Sequence, residues 1–174
     1  MIATVEEAHN LLKRLGASDQ LLLHLKLVGL AAAEILSSLE CFDLDLDEDF
    51  VRIGAAIHDA GKIVYPNELE NPGTQHESAG EKLLLEANVQ PAIARCCLSH
   101  ARYNVMAVSL EELLVALSDK LWRGKRDRQL ELRVVDAIAE KLGRERWDIF
   151  CELDESFEEV ASKGDGRLLL SMQY

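Results

Sequence analysis

Apolar residues recur at spacings of three and four along almost the whole chain and never alternate with polar ones over a strand-length run, so the period is helical throughout. The clearest stripe is Leu21, Leu25, Val28, Ala32, Ile35, Leu36 and Leu39. With Ser18 placed to cap its start, it predicts a long core helix that carries His24 on the same face. Ahead of it, Thr4 with Glu7 forms a capping pattern and Gly16 a stop, which predicts a short first helix. A third helix is expected over residues 50–60, ending at Gly61. Pro66, Asn71, Pro72 and Gly73 then mark one long loop reaching Thr74. Thr74 with Glu77 reads as a second capping box opening a helix toward Ala87, Pro91 suits the first position of the next, and that helix ends near His100. Ser109 with Glu112 is a third box, and its helix carries Asp119 and stops near Gly124. Helices over 126–142 and 144–162 follow, and 163–174 reads as a loosely held tail. The expectation is an all-α, single-domain bundle of about seven to eight helices, with its core over about 18–162.

Composition narrows the picture. The 174 residues fit one domain, and 48% hydrophobic with 29% charged residues describes an ordinary globule rather than a disordered chain. A net charge of −12 argues against a nucleic-acid scaffold. No run of apolar residues reaches a membrane span, because Glu34 interrupts the longest, and the first ten residues carry Glu6 and Glu7 with no basic segment. These features predict a cytoplasmic protein without a membrane partner. Cys41, Cys96, Cys97 and Cys151 form no CxxC pair and read as reduced thiols. Asp43, Asp45 and Asp47 are spaced like the start of a calcium loop, but Glu48 stands where that loop needs glycine and Gly54 where it needs glutamate. The stretch is therefore read as a connector and helix cap.

Candidate chemistry centres on His58 and Asp59, at the end of an otherwise apolar helix. An ionised aspartate there needs a partner. Adjacent helical residues diverge by about 100°, so the pair does not belong to one core stripe, and Gly54 and Ala55, one turn earlier, are expected to leave room for an ion. His24 alone is ordinarily a hydrogen-bonded core residue, and Asp119, between Ser118 and Lys120, an ordinary surface pair or cap. Together, His24, His58, Asp59 and Asp119 lie on separate predicted helices, which is how bundles assemble imidazole and carboxylate sites. Such mixed donors suit iron, manganese or zinc over calcium or magnesium.

The segment AAIHDAGK (residues 55–62), the helix around His24 and the segment LSDKL (residues 117–121) resemble, in that order, the motifs of the HD-domain metal-dependent phosphohydrolase superfamily. The resemblance covers about residues 20–125. It implies an HD-domain-like bundle and an enzyme that cleaves a phosphoester or phosphoanhydride of a small phosphorylated metabolite or nucleotide through a metal-activated hydroxide. His76 and His100 fall between His58 and Asp119, as the second-ion ligands do in the dinuclear branch, and chain size and ligand order are similar to the HD-type diadenosine tetraphosphate hydrolases. The doubled His-His-Glu and the Gly-Tyr-Pro of the cyclic-dinucleotide branch are missing, since Ala101 follows His100. By this resemblance His24, His58, Asp59, His76, His100 and Asp119 hold two divalent transition ions, iron or manganese, with Asp59 bridging. Asp59 and Lys62 are the catalytic candidates, and Lys62, Lys120 and Arg123 the candidates for binding substrate phosphate, with Lys125, Arg126 and Arg128 nearby. A di-iron oxygenase on the same ligands and a non-catalytic ligand-sensing module are the alternative functions. None of these patterns fixes an oligomeric state.

Overall fold

The computed structural model describes residues 1–172, and every described element is helical. Helix α1 (Val5–Arg14) starts at Thr4, whose hydroxyl accepts from the Glu7 amide at 3.1 Å, and gives way to Gly16 in the left-handed region at φ +96°. Ser18 caps α2 (Asp19–Leu39) by accepting from the Leu21 amide at 3.2 Å. The predicted stripe of α2 is buried, and so are Leu22, Leu27 and Ala31, because the helices Glu48–Ile57, Leu110–Leu121 and Arg146–Ser162 pack around more than one of its sides. This broad burial also corrects the expectation on membrane spans. Over an 18-residue window α2 reaches a mean hydropathy of 1.6, long and apolar enough to cross a bilayer, and here its apolar surface is the centre of the bundle.

Asp47 caps α3 (Glu48–Ile57), accepting from the Phe50 amide at 2.9 Å, so the acidic stretch before it ends as a cap. The helix stops three residues earlier than expected. His58 closes it, Asp59 leaves helical geometry at φ −102°, ψ 19°, and a 3₁₀ turn runs over Ala60–Ile63. Gly54 does not open space for an ion. A Cβ there would lie 2.8 Å from Val115 Cγ2 and 3.0 Å from Cys96 Sγ, so its role is the close approach of α3 to the helices behind it.

A second 3₁₀ turn, Pro66–Leu69, lies within the long loop before α4 (Gln75–Glu86). The capping box predicted there does not form: Thr74 makes no side-chain cap, and Glu77 turns inward to pair with Arg102 at 2.5 Å. Gly61 does more than end a helix. A Cβ on it would fall 1.8 Å from the His76 carbonyl oxygen and 2.6 Å from the Gly80 amide, so the 3₁₀ turn and α4 touch backbone to backbone. Two shorter helices, α5 (Pro91–Ala94) and α6 (Cys96–Arg102), lead to α7 (Leu110–Leu121), where Ser109 and Glu112 form the predicted reciprocal box. Helices α8 (Arg128–Leu142) and α9 (Arg146–Ser162) complete the shell.

Of the tail expected over 163–174, residues 164–171 are not loose, and residues 173 and 174 lie outside the described residues. Residues Gly164–Ser171 form α10, and its Arg167, 5% exposed, donates to the Leu121, Trp122 and Val160 carbonyls and to Glu34 at 2.6 Å. Gly164 lets the chain reach this position, since a Cβ there would sit 2.2 Å from the Gly124 amide.

Candidate metal centre

Six side chains far apart in sequence meet at one end of the bundle. Helix α2 supplies His24, the end of α3 supplies His58 and Asp59, the first turn of α4 His76, α6 His100 and the last turn of α7 Asp119. They fall into two groups that share Asp59. One is His24, His58, Asp59 and Asp119 and the other Asp59, His76 and His100, with one donor atom per residue all within 4.8 Å of one another in each group. His9, the fifth histidine, lies elsewhere, between α1 and α2.

Asp59 faces both ways. Its Oδ2 accepts from His24 Nε2 at 2.9 Å and from Lys62 Nζ at 2.6 Å, while Oδ1 lies 3.2 Å from His76 Nε2 and 3.7 Å from His100 Nε2. The 3₁₀ turn makes this possible, because leaving the helix at Asp59 swings its carboxylate out of the direction a continued α3 would give it. On the opposite side His58 Nε2 is 3.5 Å from Asp119 Oδ1.

The nitrogens that face away from this centre are already engaged. His58 Nδ1 donates to the Ala55 carbonyl at 2.9 Å, His100 Nδ1 to the Cys96 carbonyl at 3.0 Å, and His76 Nδ1 to Glu68 Oε2 at 2.6 Å. Each of the three therefore turns its Nε2 inward. Trp122 packs edge-on against His24 with ring centroids 5.0 Å apart.

Two atoms of the cluster have no hydrogen-bond partner although they are buried, His58 Nε2 and Asp59 Oδ1. A buried carboxylate oxygen and a buried imidazole nitrogen left unsatisfied are costly, and a cation beside each removes that cost. The donor set and its orphaned atoms thus fit a divalent transition ion.

Charge in the cluster is finely opposed. Burial pulls His58 down, but Asp59 and Asp119 outweigh it and leave its pKa above the ordinary imidazole value. His76 is likewise raised, burial being outweighed by hydrogen bonds to Asp59 and Glu68. His100 is lowered to about 4, first by burial and then by the charge of His58. The carboxyls of Asp59 and Asp119 lie well below the usual range, because burial is overcome in both by the surrounding imidazoles.

A family model for the HD domain matches residues 21–138. The chain belongs to the HD domain family. That stretch runs from α2 into α8 and contains all six clustered side chains, while α9 and α10 lie beyond it. No solved structure matches the chain. HD domains are generally metal-dependent phosphohydrolases, and the His/Asp group here could hold a metal.

Four of the six, Asp59, His76, His100 and Asp119, with His24 and His58 behind them, line a cleft of about 380 Å³. Lys62, Lys120 and Arg123 line it, with Lys62 on Asp59 and Lys120 3.6 Å from Asp119 Oδ2. Arg123 has no ion pair among the described residues. Of the neighbouring cations, Arg126 is committed to structure instead, binding Glu131, Asp154 and Glu158, and it does not line the cleft.

Sequence reasoning missed Glu68, whose carboxylate holds His76, and Trp122, which braces His24. Glu68 is one acid among several in its loop and nothing in its spacing marks it. The available signal was indirect: a histidine on a helix's first turn has no preceding turn to accept its Nδ1 proton.

Proposed function

We propose that this HD domain is a metal-dependent phosphohydrolase that cleaves a phosphoester or phosphoanhydride of a small phosphorylated substrate, with a nucleotide as the leading class. The observation that carries the reading is the pair of buried, unsatisfied donor atoms on the HD motif itself, His58 Nε2 and Asp59 Oδ1, beside a cleft that Asp59 lines together with Lys62, Lys120 and Arg123. His24, His58, Asp59 and Asp119 would hold one ion, and Asp59, His76 and His100 a second, iron or manganese in each. When bound, such ions acidify a water toward neutrality and neutralise phosphate charge.

The chain's own residues do the rest. Lys62 and the inward imidazoles keep Asp59 ionised, so its two oxygens remain available on opposite sides. Arg123 offers an unshared guanidinium fork for phosphate oxygens, and Lys120 and Lys62 add positive charge at the same wall. The cleft lining also carries the carboxylates of Asp59, Glu68, Glu70, Glu77 and Asp119, so it is the charge of the bound ions, added to these three cations, that would let a chain of net charge −12 receive an anion. Leu69, Asn71 and Pro72 form the facing wall and contact the remainder of the substrate.

A panel of nucleotides and phosphomonoesters, assayed with added manganese or iron(II), tests the proposal. Metal-dependent phosphate release is expected. Arg123→Ala should lower kcat/KM about tenfold or more, the loss of a charge-assisted contact. No release from any substrate, or oxygen-dependent turnover of a phosphate-free substrate instead, would reject it.

A further inference from the structure

Three histidines of the centre direct Nε2 inward by tying Nδ1 to an oxygen, but they do it by different means. His58 and His100 use the carbonyls of Ala55 and Cys96, three and four residues earlier on the same stretch of chain. His76 is the second residue of α4, so no earlier turn of its helix exists to provide an acceptor. Glu68 takes that place from the loop. Its carboxylate accepts from His76 Nδ1 at 2.6 Å, from the His76 amide at 3.0 Å and from the Gln75 amide at 3.2 Å. One anion thus orients the imidazole and caps the helix that Thr74 leaves uncapped.

The surroundings are shaped for this carboxylate. A Cβ on Gly73 would lie 2.3 Å from Glu68 Cδ and 2.4 Å from Oε1, so glycine is what admits the side chain. Glu68 and the residues after it up to Gly73 also line the cleft. The same three hydrogen bonds therefore fasten that wall to α4.

We propose that Glu68 is a positioning residue that presents His76 to the second ion and couples the loading of that ion to the order of the cleft wall over residues 68–73. The inference rests on the two-ion reading given above. By linkage, an ion that fixes His76 favours the docked loop, and the docked loop raises affinity for the ion. Loss of an outer carboxylate of this kind weakens metal binding by about 10–100-fold.

The test uses the full chain titrated with manganese(II) and followed by electron paramagnetic resonance, in wild type, Glu68→Gln and Gly73→Ala. Glutamine keeps the size of the side chain but loses the anion. Alanine at 73 keeps Glu68 and displaces its carboxylate, and because Gly73 does not occupy the left-handed region the backbone itself tolerates the change. Wild type should bind two ions with a spin-coupled spectrum. Both variants should bind the first ion as wild type does, give an uncoupled spectrum at matched loading, and take the second ion about 10–100-fold more weakly. Amide exchange at Gln75 and His76 should quicken in both. Wild-type affinity and coupling in both variants would overturn the assignment of Glu68, as would loss of both ions with helical circular dichroism intact. A wild type that never binds a second ion would instead sink the two-ion reading, and the inference with it.

Discussion

Asp59 is the residue on which the account turns, because one carboxylate serves two groups of donors and a lysine at once. Its setting leads to a pH prediction for protein stripped of metal by a chelator. His58 and His76 have folded pKa values raised above 6.5, so the stability they contribute is complete below 6.5 and is lost as pH rises through the raised values. His100, lowered to about 4, acts in the opposite sense: its contribution is complete above 6.5 and is lost as pH falls toward 4. The Asp59 and Asp119 contributions are complete above about 4, the ordinary carboxylate range, and do not shape the neutral window. Thermal melts of the stripped protein should therefore show a maximum near pH 6.5 and a falling Tm toward pH 8. Protein saturated with manganese should gain stability over that same interval, since ligation requires bare imidazole nitrogens. A flat stripped-protein Tm from pH 6 to 8 would contradict the charge balance described for the cluster.

At the scale of elements, caps and stripes were the most legible features. Ser18 and the Ser109–Glu112 box stand where local chemistry puts them, because each capping side chain and the amide that donates to it lie three residues apart. What was illegible required knowledge of a distant partner. Thr74 and Glu77 have a capping pattern, yet Glu77 is drawn to Arg102 and Glu68 takes over the helix terminus. Gly54 and Gly61 look in the sequence like spacing and punctuation, whereas both mark close approaches between elements whose identity no local pattern states. Gly61 provides the sharper test. Gly61→Ala must separate the 3₁₀ turn from α4, so it should cost about 1–3 kcal/mol of stability in urea unfolding, as overpacking does, and should weaken manganese binding at the His76 group. Unchanged stability and metal binding would show that the backbone contact does not position His76.

Over the whole molecule, the helical class and the convergence of His24, His58, Asp59 and Asp119 followed from periodicity and from a family resemblance that spans most of the chain. The role of the last helix did not. Helix α10 buries only Gly164 and Arg167, and the arginine ties the end of α7 to α2 and α9 through partners 7 to 133 residues away that no local pattern states. Arg167 thereby holds the carbonyl end of the helix that bears Asp119 and Trp122, from outside the segment matched by the HD domain model. Arg167→Ala should destabilise the fold by about 2–3 kcal/mol, the cost of unpairing a charged hydrogen-bonding group, and should loosen metal binding at the His24 group. A change under about 0.5 kcal/mol, the range of a surface substitution, would return α10 to the status of a tail.

The most direct test of the central claim is metal content by mass spectrometry on protein purified without chelator, comparing wild type with Asp59→Asn at matched circular dichroism. Asparagine preserves shape and removes the charge that both donor groups share. Wild type should retain iron or manganese and the variant should lose it. Equal metal in the two proteins, or none in wild type even after incubation with excess manganese, would contradict the proposal that this cluster is a metal centre.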